Sequence, residues 1–282
     1  YHQKEEIIEE VLHNELLPKL TQHPEFNIHL QTIFYGAGCA NDTACGRVKE
    51  AVVKVLGTTD ITIHSDLLGA ARALCGNEEG IACVLGTGSN SCLYDGKKII
   101  ANTPPLGYIL GDEGSGYSIG LCGIKAAIRG FENSASETVL IQKCLDYFNI
   151  SDIFDLIDLY YNKSVSRKIT ASFAKEVIES ADNGDYVSKE IIESEAKSLS
   201  ETVLSLIKSS DKNIKIGLWG GVFQHNQSYR NYFIKLLSDK GFHNVNLIEF
   251  TPELGAIIAC FRNEGIELTE NIKNIIIKEY NI

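Results

Sequence analysis

The chain of 282 residues contains no methionine, even at position 1. We therefore expect an N-terminally incomplete version of a longer protein. The sequence also lacks any apolar run close to the roughly 20 residues that a membrane-spanning helix needs. Its opening residues, YHQKEEII, do not have the features of a signal or transit peptide. These absences predict a cytoplasmic protein with no membrane partner.

Positive charge is scarce. The chain has 26 Lys and Arg residues against 37 Asp and Glu residues, which gives a formal net charge of −11. Nucleic acids and anionic membranes bind clustered Lys and Arg side chains, so neither is an expected partner. With 44% hydrophobic residues, the sequence is ordinary for a globular protein of one large domain or two modest ones.

Motifs for several kinds of chemistry are also missing. The sequence contains no Walker-type phosphate loop, no HEXXH motif and no serine-nucleophile elbow. Its eight cysteines are scattered, and several lie in apolar runs such as IACVLG, which favours buried reduced thiols over a disulfide framework. The histidines lack metal-ligand spacing. We therefore predict no metal site made of these residues.

Hydrophobic periodicity predicts alternating strands and helices in the first part of the chain. Residues 3–20 form an acidic amphipathic helix that ends near Pro18, and the strand QTIFYGAG leads into a helix that Gly57 closes. The strand DITIHSD and the helix LLGAARALCG follow. This β-α-β-α order predicts a largely parallel sheet with helices packed on it.

The second part begins with three short strands, the last two joined at Asp95-Gly96. A helical region spans about 115–210, and the strand KIGLWGGV, a helix, the strand VNLIEF and the helix PELGAIIACFRN follow it. This order echoes the first part, and each copy contains Leu-Gly-Ala, at Leu68 and at Leu254. The echo predicts a duplicated fold of two related lobes, with a ligand site in the cleft between them.

Two glycine-rich stretches are candidates for ligand binding. GTGS (86–89) joins two predicted strands, and GDEGSG (111–116) precedes a predicted helix. An ordinary tight hairpin and a pair of helix caps are the alternatives. Because the stretches occur together, and Asn90 directly follows the first, we favour a phosphate site at GTGS. In the second stretch we favour contact between Asp112 and sugar hydroxyls, with Glu113 in support.

Two further positions can be read in two ways. Asp66 stands at a strand end and a helix start, where it is either a helix N-cap or a catalytic carboxylate at the carboxyl end of a strand. Transfer of a phosphoryl group to a hydroxyl needs a base of this kind. Gly220 and Gly221 either form a tight strand-to-helix turn or allow an adenosine to lie flat on the backbone.

The segments YGAG, SDLLGAARAL, LGTGSNS and PPLGYILGDEGSG together resemble the N-acetylglucosamine kinase family. That family belongs to the sugar-kinase, actin and heat-shock-chaperone superfamily and groups with the benzoyl-CoA reductase activator-type ATPases. The resemblance implies an α/β fold of two ribonuclease-H-like lobes with an active-site cleft between them. It implies an N-terminal lobe at 1–78 without its first strands and phosphate hairpin, a C-terminal lobe at 79–265 and a helical tail at 266–282.

The resemblance also implies residue roles for an ATP- and Mg²⁺-dependent kinase. Asp66 matches the base that deprotonates the 6-hydroxyl of the sugar. The implied sugar-binding residues are Asp112, Glu113, Thr87, Asn90, Gly107 and Gly38, and the implied nucleotide-binding residues are Gly86, Thr87, Gly88, Ser89, Gly220, Gly221 and Gly255.

The main departure from the family lies at the start of the chain. Family members open with an Asp- and Gly-rich hairpin that cradles the terminal phosphates and whose Asp holds Mg²⁺, and the present sequence begins past that point. A second departure is Leu106, where animal relatives have a Trp against the sugar. We interpret the chain as an incomplete kinase, not as a naturally inactive one.

The expected activity is phosphorylation of an amino sugar, N-acetylglucosamine first, by a protein that we expect to be a homodimer. Glucosamine or another hexose is an alternative acceptor. An activator-type ATPase is disfavoured because leucine precedes GTG where those proteins have a Cys-Ala-Ala lead, and a repressor-type kinase is disfavoured by the scattered cysteines. A non-catalytic sugar-binding regulator is the remaining alternative.

Overall fold

The computed structural model describes residues 5–23, 31–36, 39, 41–104, 106–134, 136–162, 165–207, 212–247, 252–263, 265–266 and 269–280. The helices are α1 (Glu5–Val11), α2 (Leu17–Leu20), α3 (Asp42–Leu56), α4 (Asp66–Cys75), α5 (Gly107–Leu110), α6 (Gly116–Phe131), α7 (Leu140–Phe148), α8 (Asp155–Tyr161), α9 (Arg167–Ser172), α10 (Ala174–Asp182), α11 (Tyr186–Ser205), α12 (Gly221–His225), α13 (Gln227–Ser238), α14 (Pro252–Asn263) and α15 (Glu270–Tyr280). The strands are β1 (Thr32–Gly36), β2 (Ile61–Ser65), β3 (Glu79–Leu85), β4 (Ser89–Asp95), β5 (Ile99–Asn102), β6 (Lys215–Trp219) and β7 (Val245–Leu247).

The chain divides into two compact units. The first comprises Tyr1–Asn77 and Phe250–Ile282, and the second comprises Glu78–Glu249. This division falls beside the predicted boundary at 78/79, but it differs from the prediction at the C-terminal end. Residues 250–265, predicted in the C-terminal lobe, belong to the first unit because α14 packs on α4 there.

The first unit contains the predicted parallel pair of strands, β1 and β2. Helix α3 packs on β2; its N-cap is Asn41, and it ends at Gly57 with a φ of 71°. The first helical stretch ends at Leu20, in agreement with the predicted range of 3–20, but it contains a π-helical turn at Leu12–Leu16 that the sequence did not predict. Proline cannot donate a backbone hydrogen bond, and Pro18 lies in the first turn of α2, where no such donor is needed.

The second unit is built on a five-stranded mixed sheet with the order β5-β4-β3-β6-β7. Strands β3, β4 and β5 are antiparallel neighbours, whereas β6 and β7 run parallel to β3. Helices α6 to α13 complete the core, in which Phe173, Phe223 and Phe233 are fully buried. The register pairs Leu85 with Ser89, so residues 86–88 form the turn between β3 and β4.

The chemistry of the cysteines agrees with the sequence prediction. None of the eight cysteines, all of which lie in described residues, forms a disulfide bond, and five of them are buried. Burial raises the pKa of the Cys83 thiol to about 12. Within the ranges that the structure describes, no helix has the length and apolar character needed to span a membrane.

The two Leu-Gly-Ala copies meet in the structure. Gly69 in α4 and Gly255 in α14 lie at the contact between these helices, where a Cβ on Gly255 would stand 1.8 Å from the backbone oxygen of Gly69. Glycine at this position lets the two backbones approach closely. The repeated motif therefore marks one helix–helix contact in the first unit.

We expect Gly255→Ala to destabilise the protein by about 1–3 kcal/mol, because the added methyl group forces α14 away from α4. Gly46→Ala in α3 is the matched control, since no atom lies within 4 Å of its Cβ position. This control should be neutral or stabilising by up to about 1 kcal/mol. Urea unfolding of both variants checks the expectation, and equal stability of the two would contradict it.

Candidate functional site

The turn at 86–88 is held in place by the start of α6. The backbone oxygens of Gly86 and Thr87 accept hydrogen bonds from the N–H groups of Gly116 and Tyr117, at 2.9 and 3.1 Å. The N–H of Gly86 donates to the oxygen of Gly88 at 2.9 Å. The oxygens of the turn are thus directed into the protein.

The same turn leaves two backbone donors without partners. The N–H groups of Thr87 and Gly88 form no hydrogen bond with any residue that the structure describes. Thr87 is exposed. The positive end of the α6 dipole lies directly behind the turn. Two bare amides before a helix N-terminus have the properties of an anion-binding turn.

Asp112 connects the second glycine-rich stretch to this turn. Its Oδ1 atom accepts a hydrogen bond from the N–H of Ser89 at 3.2 Å, and its Oδ2 atom forms an ion pair with Nη2 of Arg167 at 2.7 Å. The side chain of Asp112 is only 10% exposed. A carboxylate can accept further hydrogen bonds, so Asp112 retains capacity for a ligand hydroxyl.

The stretch that carries Asp112 is fixed at Gly114. Its N–H donates to Oε2 of Glu195 at 2.8 Å, and its backbone oxygen accepts from the hydroxyl of Tyr229 at 3.2 Å. Gly114 has a φ of 73°, and a Cβ there would stand 2.7 Å from the Tyr229 hydroxyl oxygen. Only glycine satisfies both the conformation and the space. The Asp112 carboxylate is therefore presented from a rigid loop.

A cavity of 890 Å³ begins at the turn and extends along α9 and α10. Its lining residues come from the turn, from the start of α6, from α9 and α10, and from the segment 221–228. They are Gly86, Thr87, Gly116, Lys168, Ala171, Ser172, Ala174, Lys175, Ile178, Glu179, Asp182, Gly221, Val222, His225, Asn226, Gln227 and Ser228. The volume is within the range of small-molecule and cofactor sites.

Charge changes along this cavity. Lys168 lies one helical turn before Ala171, whose backbone oxygen is close to Gly116, so this cation belongs to the phosphate-turn end. At the other end, Asp182 accepts a hydrogen bond from the hydroxyl of Ser228 at 2.9 Å. A cation beside bare amides suits phosphates, whereas carboxylate and hydroxyl groups suit the hydroxyls of a ribose.

The residues predicted to bind the nucleotide have different surroundings in the structure. Gly86, Thr87 and Gly221 line the cavity, which brings the two predicted segments together. Gly220 has a φ of 113°, and a Cβ there would stand 2.4 Å from the oxygen of Leu85, so packing explains this glycine. Gly255 lies in the α4–α14 contact of the first unit, and its place on the adenosine side stays a prediction.

Asp66 is not the cap of its helix. Ser65 caps α4, and its hydroxyl accepts from the N–H of Leu68 at 3.2 Å. Asp66 is the first helical residue and accepts from the N–H of Leu67 at 2.9 Å. Although the residue as a whole is exposed, partial burial of the carboxyl raises its pKa above the ordinary value, against the effect of the Leu67 hydrogen bond. A raised pKa makes the carboxylate a stronger base.

The remaining predicted sugar-binding residues have various surroundings. Glu113 is exposed, and Gly107 begins α5 with a φ of 72°. Asn90 lies in β4, and its Oδ1 atom accepts from the hydroxyl of Thr103 at 3.2 Å. Gly38 lies outside the described residues.

The sequence analysis did not predict Arg167, Lys168 and Glu195 as site residues. Arg167 and Lys168 open a short helix in a long helical region, and Glu195 lies in the middle of α11. Arg167 and its partner Asp112 are 55 residues apart in the sequence, and Glu195 and its partner Gly114 are 81 residues apart. Charged residues on surface helices are common, and no local signal distinguishes these.

The donors of the turn and the dimensions of the cavity fit a nucleotide with its phosphates at Gly86–Gly88. No set of Mg²⁺ ligands can be named in the same way. Within the described ranges, no group of three or more His, Cys, Asp or Glu residues is arranged to hold a metal ion. The Mg²⁺ requirement stays a prediction.

Comparisons with known proteins place the chain in a family. The model of the BadF/BadG/BcrA/BcrD ATPase family matches residues 7–259. An N-acetylmuramic acid/N-acetylglucosamine kinase of Clostridium acetobutylicum is 30% identical over 210 residues, which cover 73% of this chain and 69% of that protein. The crystal structure of a candidate N-acetylglucosamine kinase from Porphyromonas gingivalis, 30% identical, matches with a TM-score of 0.74 over 94% of this chain and 88% of that one.

A more distant structure supports the fold alone. The ROK hexokinase of Thermus thermophilus is 13% identical and matches with a TM-score of 0.53 over 92% of this chain and 86% of that one. The predicted resemblance and the predicted fold class, an α/β protein of the actin-like type, are confirmed. The chain belongs to the BadF/BadG/BcrA/BcrD ATPase family.

Proposed function

We propose that this protein is an ATP-dependent kinase that phosphorylates the 6-hydroxyl of an amino sugar, with N-acetylglucosamine as the first candidate. One observation carries the proposal. A turn with two unpartnered amides lies between a nucleotide-sized cavity, on the side of Gly86 and Thr87, and the carboxylate of Asp112, which contacts Gly88 and Ser89. A phosphoryl donor and a hydroxyl acceptor would meet at such a turn.

The roles on the nucleotide side follow from charge. The amides of Thr87 and Gly88 would bind the terminal phosphates, and Lys168 would add positive charge at the same end of the cavity. Asp182 and the residues around Ser228 would face the ribose and the base. Phosphoryl transfer depends mainly on positioning and on charge stabilisation, and both are supplied by groups that the fold holds rigidly.

On the acceptor side, Asp112 would bind sugar hydroxyls, and Asp66 would act as the base. In the transfer step the sugar oxygen forms a bond to the γ-phosphorus, and the bond from that phosphorus to the β–γ bridging oxygen breaks. ADP leaves, and the hydroxyl proton passes to the Asp66 carboxylate. The names of the Clostridium acetobutylicum and Porphyromonas gingivalis relatives support an N-acetylated amino sugar as the acceptor.

N-acetylmuramic acid is a second candidate acceptor. The name of the Clostridium acetobutylicum relative includes this sugar beside N-acetylglucosamine. Glucosamine or another hexose, an activator-type ATPase and a sugar-binding regulator are the alternatives from other classes. A cytoplasmic location and a homodimer remain part of the proposal.

We predict that the protein releases ADP only when an amino sugar is present. The test is a coupled ADP-release assay with N-acetylglucosamine, N-acetylmuramic acid, glucosamine, N-acetylmannosamine and glucose. Release with one N-acetylated sugar would support the kinase and identify its acceptor. Sugar-independent release would favour an activator-type ATPase, and sugar binding by calorimetry without release would favour a regulator.

We further predict that Asp66→Asn lowers kcat by about 10²–10⁴-fold, because the variant cannot accept the hydroxyl proton. The base acts in its ionised form and its pKa is raised, so wild-type kcat/KM should fall on acidification at a pH above the ordinary value of 3.8. Below the raised pKa the base is protonated and inactive. The exposed Asp60→Asn is the matched control, with wild-type kinetics expected. Turnover that survives in Asp66→Asn would exclude this base.

A further inference from the structure

Arg167 lies against both glycine-rich stretches. It is the first residue of α9, directly after the cap residue Ser166. Its Nη2 atom donates to Oδ2 of Asp112 at 2.7 Å. A Cβ on Gly88 would stand 2.5 Å from this Nη2 atom. The guanidinium occupies the space beside Gly88 where a Cβ atom would otherwise stand.

The guanidinium is held from a second direction by an aromatic ring. Its Cζ atom lies 5.1 Å from the centroid of the Tyr108 ring, and that ring meets the ring of Tyr117 edge-on at 4.9 Å. The N–H of Tyr117 is one of the two donors that fix the turn. Arg167 is therefore packed among the same residues that shape the candidate site.

One donor of Arg167 is left over. Its Nε–H group is shielded from solvent and has no partner within the described residues. Buried donors are almost always hydrogen-bonded, and exceptions occur where a ligand or water completes the site.

The charge balance at the turn requires such a cation. Asp112 places a carboxylate within hydrogen-bonding distance of the Ser89 amide, in the turn that is proposed to bind phosphates. A bare carboxylate there would repel a nucleotide, because like charges at short range in a partly buried site repel strongly. Arg167 neutralises this charge and leaves the oxygens of Asp112 available to hydroxyl groups.

We propose that Arg167 is a positioning residue that holds the Asp112 carboxylate against the phosphate-binding turn and cancels its charge, so that sugar and phosphate can occupy adjacent positions. The inference rests on the proposed function for the roles of Asp112 and the turn. It adds a residue that joins the sugar side to the phosphate side within one unit of the protein.

The test compares Arg167→Ala and Arg167→Lys with Arg129→Ala, an exposed arginine of the same unit. In full-length protein, Arg167→Ala should lower kcat/KM for the sugar about 100-fold, the usual effect of a misplaced reacting group. Arg167→Lys should recover part of the loss, and guanidinium ion at low concentration should restore part of the activity of Arg167→Ala. Arg129→Ala should be like wild type. Unchanged kinetics, or a loss that neither lysine nor guanidinium relieves, would overturn the proposal.

Binding measurements separate this proposal from the proposed function. If no sugar in the panel gives ADP release, the kinase assignment fails, and Arg167 is tested by calorimetry with the non-hydrolysable ATP analogue AMPPNP. Arg167→Ala should bind AMPPNP at least 10-fold more weakly, since the Asp112 charge is left unpaired. Arg167→Gln, which removes the charge and keeps most of the side-chain volume, serves the same comparison if Arg167→Ala does not fold. Affinity equal to wild type would overturn the charge-cancelling role.

Discussion

Two backbone hydrogen bonds, from Gly116 and Tyr117 in α6 to the oxygens of Gly86 and Thr87, determine what the β3–β4 turn can do. Because these oxygens are bound to the helix start, the turn directs its unpartnered amides outward and receives the field of the helix N-terminus. Glycine at position 116 relieves crowding at this contact, since a Cβ there would stand 3.1 Å from the oxygen of Ala171 and 3.2 Å from that of Gly86. The packing that builds the core of the second unit therefore also leaves two amides of the turn available to a ligand.

The chain carries a net charge of −11, so binding a polyanion requires positive charge to be placed locally. The structure does this with the two bare amides, the helix terminus, Lys168 and Arg167, all around one turn. Asp112 is tolerated among them because Arg167 neutralises it. In the proposed function, this arrangement would let phosphates bind on one side of the turn and hydroxyl groups on the other.

Local patterns were enough to predict most elements and the glycine-rich turns. Strand periodicity, Gly57 as a helix end and clustered glycines are signals that depend on only a few neighbouring residues. Contacts between distant segments were not predictable. The Leu-Gly-Ala echo predicted two related lobes, and the chain does divide into two units. The echo did not indicate that α14 returns to α4 or that Gly255 meets Gly69. Arg167 and Glu195 carry no local signal, because their roles arise only when α9 and α11 pack against the loop at 111–116.

The proposed kinase function depends most on binding of the ATP phosphates by the amides of Thr87 and Gly88. A crystal structure of this chain with AMPPNP and N-acetylglucosamine tests it directly. We expect phosphate oxygens within hydrogen-bonding distance of both amides, the ribose near Asp182, and sugar hydroxyls hydrogen-bonded to Asp112. A nucleotide bound elsewhere, with the turn empty, would contradict it.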